Sequence, residues 1–281
     1  MSPRKRQRLG HSTLEEEEED IISALLDPLL HHILSFIPTK DTAVTSLLSK
    51  RWKPLFLSQL TFNFDDKDFP NAPTGLKFFN SFITNRDNAV PILSLNLKFR
   101  KFSRREVQTF IIDGAIVNLT NLKTLSIDVD QSYSVFPSIF LTSKTLSVLK
   151  LKCLTILDDV PHVHLPLLKA LHMESVTFKS HEYLWKLLSG VPLLEELETK
   201  DLIVNTPYGD CRCCSHSQRR VACFSKLVKA NIRDKYSLFD WFHNVEHLRL
   251  QVTPLLLVCL LPVFNLLSSL VVIINVGWFL F

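Results

Sequence analysis

One spacing constrains this chain more than any other feature: an apolar residue at i, i+3 and i+5. It occurs as Leu122/Leu125/Ile127, Leu146/Leu149/Leu151, Leu168/Leu171/Met173, Leu194/Leu197/Thr199, Leu227/Ala230/Ile232, Val245/Leu248/Leu250 and Leu267/Leu270/Val272, with Thr199 standing once in an apolar place. The middle members lie 24, 22, 26, 33, 18 and 22 residues apart. A period of roughly 20–29 residues is that of a solenoid in which every repeat supplies one short strand and no repeat can bury its apolar face alone. The one long interval spans a cysteine-rich stretch at 211–223.

Within each copy the last positions alternate, so one side chain packs inward and the next faces out from a parallel sheet. The outward set read this way is Ser126, Lys150, His172, Glu196, Glu198, Arg249 and Gln251. Lys150, His172, Glu196, Glu198 and Arg249 are the candidates for binding a target. A strand at 93–97 is expected to open the stack. Helical pieces at 103–118 and 180–189 are expected to close its other side, with Pro166 and Pro192 marking where strands begin.

Ahead of the repeats, residues 20–66 follow a different pattern. Leu29, Leu30, Ile33, Leu34 and Ile37 share one helical face, with Asp27 placed to cap, Pro28 suited to the first turn and Pro38 as the stop. A second helix is expected over 41–48, with Ala43, Val44, Leu47 and Leu48 as its apolar positions. The cluster Ser49, Lys50, Arg51, Trp52 and Lys53 follows. Some 40 residues make too small a core to use all these apolar side chains, so part of this surface is expected to meet a partner.

Residues 25–52, above all 29–40 and 48–52, resemble the F-box of plant receptor proteins, and the repeats extend the likeness to plant F-box proteins with leucine-rich repeats. The resemblance implies an α/β protein: a small helical F-box followed by an irregular leucine-rich-repeat solenoid. It implies docking on a Skp-type adaptor, and through it on a cullin scaffold, with Leu25, Leu30, Ile33, Leu34, Val44, Leu48 and Trp52 lining or supporting that interface. The function implied is substrate recognition in an SCF-type ubiquitin ligase, with a protein target held by the repeats. The sequence departs from the family where Leu26 replaces a usual proline, Pro28 a usual acid and Phe56 a frequent tryptophan. Relatives generally continue into further repeats and an FBD domain, so the solenoid is expected to be truncated near 277–281. A scaffold with a degenerate F-box is the alternative function.

Domain boundaries follow: a tail at 1–19, the F-box at 20–66, a connecting segment at 67–89, and repeats from 90 to 281. The tail carries a basic run (Arg4, Lys5, Arg6, Arg8) and leads into an acidic one at 15–20, neither able to bury apolar surface. The charged N-terminus and unframed cysteines point to a reducing compartment, nucleus or cytoplasm.

No catalytic set is expected. Only 6 glycines are present, no G-x-S-x-G or H-E-x-x-H occurs, and the ten histidines lack ligand spacing, so neither an enzyme nor a cofactor is expected. Cys211, Cys213, Cys214 and Cys223 are too crowded for zinc-binding pairs and read as an inserted loop. The acids at 65, 66 and 68 read as a solvated turn. A net charge of +4 from 32 basic and 28 acidic residues is too balanced to indicate nucleic acid. Residues 254–281 hold no charge over 28 positions, which makes a membrane tether the rival reading there. Pro262, Asn265, Asn275 and the fit of Leu267/Leu270/Val272 to the repeat favour a solenoid instead.

Overall fold

The computed structural model describes residues 21–87, 89–113, 119, 121–130, 134–157, 162–205, 226–233, 245–252 and 267–274. The expected tail, the cysteine-rich loop and most of 254–281 lie outside the described residues. Four short helices come first: α1 (Ile21–Ala24), α2 (Asp27–Ser35), α3 (Thr39–Thr45) and α4 (Trp52–Leu57). Their own core is Leu30, Leu34, Trp52 and Leu55, with Leu25 and Ile37 packed against it.

Asp27 does not cap α2. The residue before the helix is Leu26, without a side-chain cap, and Pro28 occupies the first turn. The Asp27 carboxylate is instead taken by Arg51, whose Nη2 lies 2.6 Å from Asp27 Oδ1 and also donates to the Leu25 carbonyl at 2.6 Å. The second helix starts at Thr39 rather than 41, and of its expected apolar positions only Ala43 packs against the core. Thr39 and Thr42 are inside, while Val44, Leu47 and Leu48 are exposed. The cause is a polar contact: Thr39 Oγ1 accepts the Asn63 N–H at 2.7 Å.

Asn63 belongs to β1 (Thr61–Asp65), which pairs in parallel with β2 (Ser94–Phe99). The sheet therefore opens about thirty residues earlier than the expected strand at 93–97. With β2 on one side, the other edge of β1 would leave unpaired backbone donors, and α3 covers it. The segment expected to be a connector holds α5 (Ala72–Asn85), whose N-cap Asn71 accepts the Thr74 N–H. Phe79 and Phe82 on α5 bury against Phe62 of β1, with ring centroids 5.0 and 4.9 Å away. Gly75 lets this helix come close, since a Cβ there would meet Phe64 at 3.0 Å.

From β2 onward the chain repeats. The principal strands are β3 (Thr124–Val129), β5 (Val148–Lys152), β7 (Ala170–Glu174), β9 (Glu196–Lys200), β11 (Lys229–Arg233), β12 (His247–Val252) and β13 (Ser269–Ile274). Among the described residues they form one parallel sheet in chain order, β1-β2-β3-β5-β7-β9-β11-β12-β13. The register aligns the repeat copies: Leu125, Leu149, Leu171, Leu197, Ala230, Leu248 and Leu270 stand side by side, and so do Ile127, Leu151, Met173, Thr199, Ile232, Leu250 and Val272. Each column is one seam of the core, and from Leu125 to Leu250 its members are nearly inaccessible. The helices α6 (Arg104–Asp113) and α7 (His181–Ser189) lie within the expected helical pieces, with 114–118 outside the described residues.

A second, parallel sheet of short strands, ordered β10-β8-β6-β4, runs beside the first. These are β4 (Ser134–Val135), β6 (Leu154–Ile156), β8 (Thr177–Phe178) and β10 (Ile203–Val204). Cys153, Ser175 and Asp201 make the turns from long strand to short strand, with φ of 53°, 51° and 51°. That left-handed backbone disfavours a Cβ. Ser175→Gly is therefore expected to raise stability by about 0.5–1 kcal/mol, read as a higher urea midpoint with unchanged slope.

Candidate functional site: an apolar helical surface and a charged strand face

The helical module leaves much of its apolar surface uncovered. Ile22, Leu26, Leu29, Ile33, Phe36, Val44, Leu47 and Leu48 are all exposed, from 43% at Ile33 to 83% at Leu47. Scattered exposed leucines are ordinary, but eight within 27 residues form a surface that water solvates poorly. Of the seven residues assigned to an adaptor interface, Ile33, Val44 and Leu48 are on this surface and Leu25 is half-buried. Leu30, Leu34 and Trp52 are 0%, 1% and 7% exposed, so their part is to hold the helices together. Ile22, Leu26, Leu29, Phe36 and Leu47 complete the surface and were not among the seven; of these, Leu29 and Leu47 stand on the apolar faces expected of their helices.

The departures from the family pattern, Leu26 and Pro28, are both solvent-exposed, and Phe56 is buried in the larger core. His31 sits beside Ser58, its Nε2 3.3 Å from Oγ, and His32 packs edge-on against Phe36.

The second candidate surface is the outward face of the long strands. Ser126, Lys150, His172, Glu196, Glu198, Arg249 and Gln251 all stand on it, Lys150 and Arg249 exposed and the others half-buried. Pairing aligns Ser126, Lys150, His172, Glu198, Asn231 and Arg249 in one row. Opposite charges engage across neighbouring strands. Glu174 meets Lys200 at 2.7 Å and Lys152 at 3.4 Å, Glu196 meets Lys229 at 2.9 Å, and Glu198 meets Arg233 at 2.6 Å. Arg100 pairs with Asp128. His172 lies between two acids, 3.5 Å from Glu196 and 3.7 Å from Glu198.

Among the described residues Lys150 enters no ion pair, so it is an unspent charge beside a depression of about 220 Å³ lined also by Ser126, His172, Glu198 and Arg233. Such a face offers positions for polar groups of an extended partner. Among the described residues no group of His, Cys, Asp and Glu could hold a metal, and no helix is long and apolar enough to cross a membrane.

Burial pushes the His172 pKa down, helped by Lys150 and opposed by Glu196 and Glu198. Its neutral form thus favours the fold: that contribution is present above about pH 6.5 and is lost as pH falls through the lower folded value. Hydrogen bonds from Lys200 and Lys229 hold Glu174 and Glu196 low, which adds stability present above about pH 4.3 and lost on further acidification. His172→Gln is expected to flatten the fall in melting temperature as pH drops below about 6.5.

Comparison with known proteins agrees with the helical module. The F-box domain family matches residues 22–63. An F-box/LRR-repeat protein of Arabidopsis thaliana is 34% identical over 207 residues, covering 70% of this chain and 39% of the relative. A second F-box/LRR-repeat protein from that plant is 36% identical over 191 residues, 65% of this chain and 50% of the relative. An F-box/FBD/LRR-repeat protein is 32% identical over 183 residues, 64% of this chain and 40% of the relative. No solved structure matches the chain.

The helices and the match define an F-box protein. The chain is similar to plant F-box/LRR-repeat and F-box/FBD/LRR-repeat proteins, and it spans half or less of the length of these relatives.

Proposed function

We propose that this protein is the substrate-recognition subunit of an SCF-type ubiquitin ligase. Its F-box docks on a Skp-type adaptor linked to a cullin scaffold, and its leucine-rich-repeat arc holds a protein target. The carrying observation is the apolar surface of the helical module. Eight large exposed apolar side chains surround a core of only four, a distribution that is stable in water mainly when a partner covers it.

The chain contributes proximity rather than chemistry. Holding a target near a charged conjugating enzyme raises the effective concentration of the reacting groups, and no side chain of the receptor needs to touch the transferred bond. On the target side Lys150, His172, Glu196, Glu198 and Arg249 are the recognition positions, a reading supported by the register that aligns Lys150, His172, Glu198 and Arg249 in one outward row.

The test is co-expression with a plant Skp-type adaptor followed by gel filtration. A stoichiometric complex supports the assignment. A folded chain that elutes alone would replace it with a protein-binding scaffold in which only the repeats act.

A further inference from the structure

A cleft of about 890 Å³ opens between the end of the helical module and the loop after α5. Leu47, Pro54, Leu57 and Val90 give it apolar walls, and Lys50 and Lys53 line it as well. Both lysines are exposed, and among the described residues neither has an ion-pair partner. Asp87 also lines the cleft, but its carboxylate accepts the Ala89 N–H at 2.9 Å. The cleft is thus an apolar trough edged by unspent positive charge, and it suits a segment that brings carboxylates.

The chain holds such a segment within reach. Residues 15–20 are five glutamates and an aspartate in succession, and no Lys or Arg occurs between Arg8 and Lys40 to neutralise them. Arg51, between the two lysines in sequence, binds the Leu25 carbonyl at 2.6 Å and Asp27 at 2.6 Å. The chain before Leu25 therefore departs from beside the same turn that carries Lys50 and Lys53. Residues 21–24 are helical and rise about 1.5 Å each, and extended residues before them would span about 3.3–3.6 Å each, so the tether from Leu25 to the acids is roughly 10–27 Å. A tether this short gives an effective concentration on the order of millimolar, at which weak, salt-sensitive pairs suffice.

We propose that the acidic run at 15–20 docks in this cleft against Lys50 and Lys53 and competes with the adaptor for Leu47. The competition rests on the adaptor reading above, because Leu47, 83% exposed, belongs both to the cleft and to the apolar helical surface. The docking itself does not depend on that reading.

The test uses the full chain and a variant with residues 15–19 changed to Gln and Asp20→Asn. Limited acetylation by an N-hydroxysuccinimide ester, read by mass spectrometry, gives the reactivity of each lysine at low and high salt. Docking predicts that Lys50 and Lys53 react about threefold or more slowly in the unaltered chain at low salt, with the difference gone near 0.5 M salt and Lys98 and Lys150 indifferent throughout. It also predicts that the variant binds a purified Skp-type adaptor about three- to tenfold more tightly at low salt. Equal reactivity of Lys50 and Lys53 in the two proteins at low salt would overturn the docking. Protected lysines with equal adaptor affinity would overturn the competition. If neither protein binds adaptor, the adaptor reading and the competition both fall, and the lysine rates still decide the docking.

Discussion

Asp66→Ala is expected to destabilise the fold by about 3–5 kcal/mol, which lowers the melting temperature by about 10 °C. Asp66 is fully buried. Its carboxylate accepts the backbone N–H groups of Arg100 (2.9 Å), Lys101 (2.7 Å) and Phe102 (2.8 Å), the turn that follows β2. A carboxylate accepting several N–H donors makes charge-assisted bonds, and its removal strands three donors in a site water cannot readily enter. Phe102 then loses its anchor beside Phe64 and Phe99, so the cost extends into the aromatic core. Asp66→Asn retains one acceptor oxygen and is expected to lose about half as much. A change below about 1 kcal/mol for the alanine variant, measured by urea unfolding, would contradict this role.

The second large effect concerns binding. Val44→Asp with Leu48→Asp is expected to weaken adaptor binding at least about a hundredfold while leaving the melting temperature within a few degrees. Both side chains are exposed, 57% and 72%, so neither carboxylate is forced into the protein's own core. In the complex each would lie in an apolar interface without a partner, and each lost apolar contact is worth about 1.5–3 kcal/mol before the desolvation of the new charge is added. Leu34→Asp provides the contrast. At 1% exposure it puts a carboxylate inside a core of four residues, so binding is lost through unfolding of the module, visible by circular dichroism. Retained binding by the exposed double variant would separate the adaptor contact from α3.

The strand ladder was legible in the sequence because i, i+3, i+5 is a local pattern whose repetition also fixes which residues become neighbours. Leu125, Leu149, Leu171 and Leu197 are aligned by the same spacing that reveals them. The outward face followed from alternation alone, although nothing in the spacing says what Lys150 or Arg249 meets.

The first strand was not legible in this way. Its inward residues Phe62 and Phe64 belong to no leucine pattern, and their partners arrive from α5 and α6, as in the 4.6 Å approach of Phe64 to Phe110. Tertiary packing, not periodicity, decides that strand. The acids at 65, 66 and 68 resemble any solvated turn until residues 100–102 fold over the middle one, so Asp66 is a structural anchor where a surface acid was expected. The orientation of α3 departs from its hydropathy pattern for a related reason. Val44, Leu47 and Leu48 outweigh two threonines in hydropathy, but the unpaired Asn63 N–H at the sheet edge takes Thr39 inward and leaves the apolar side chains for a partner.

The most direct measurement is amide hydrogen exchange of the full chain with and without a Skp-type adaptor. The assignment predicts new protection concentrated in α2, α3 and the turn that follows, around Ile33, Val44 and Leu48, with exchange on β5 to β11 unchanged. Unchanged exchange across α2 and α3 in the presence of saturating adaptor would contradict it.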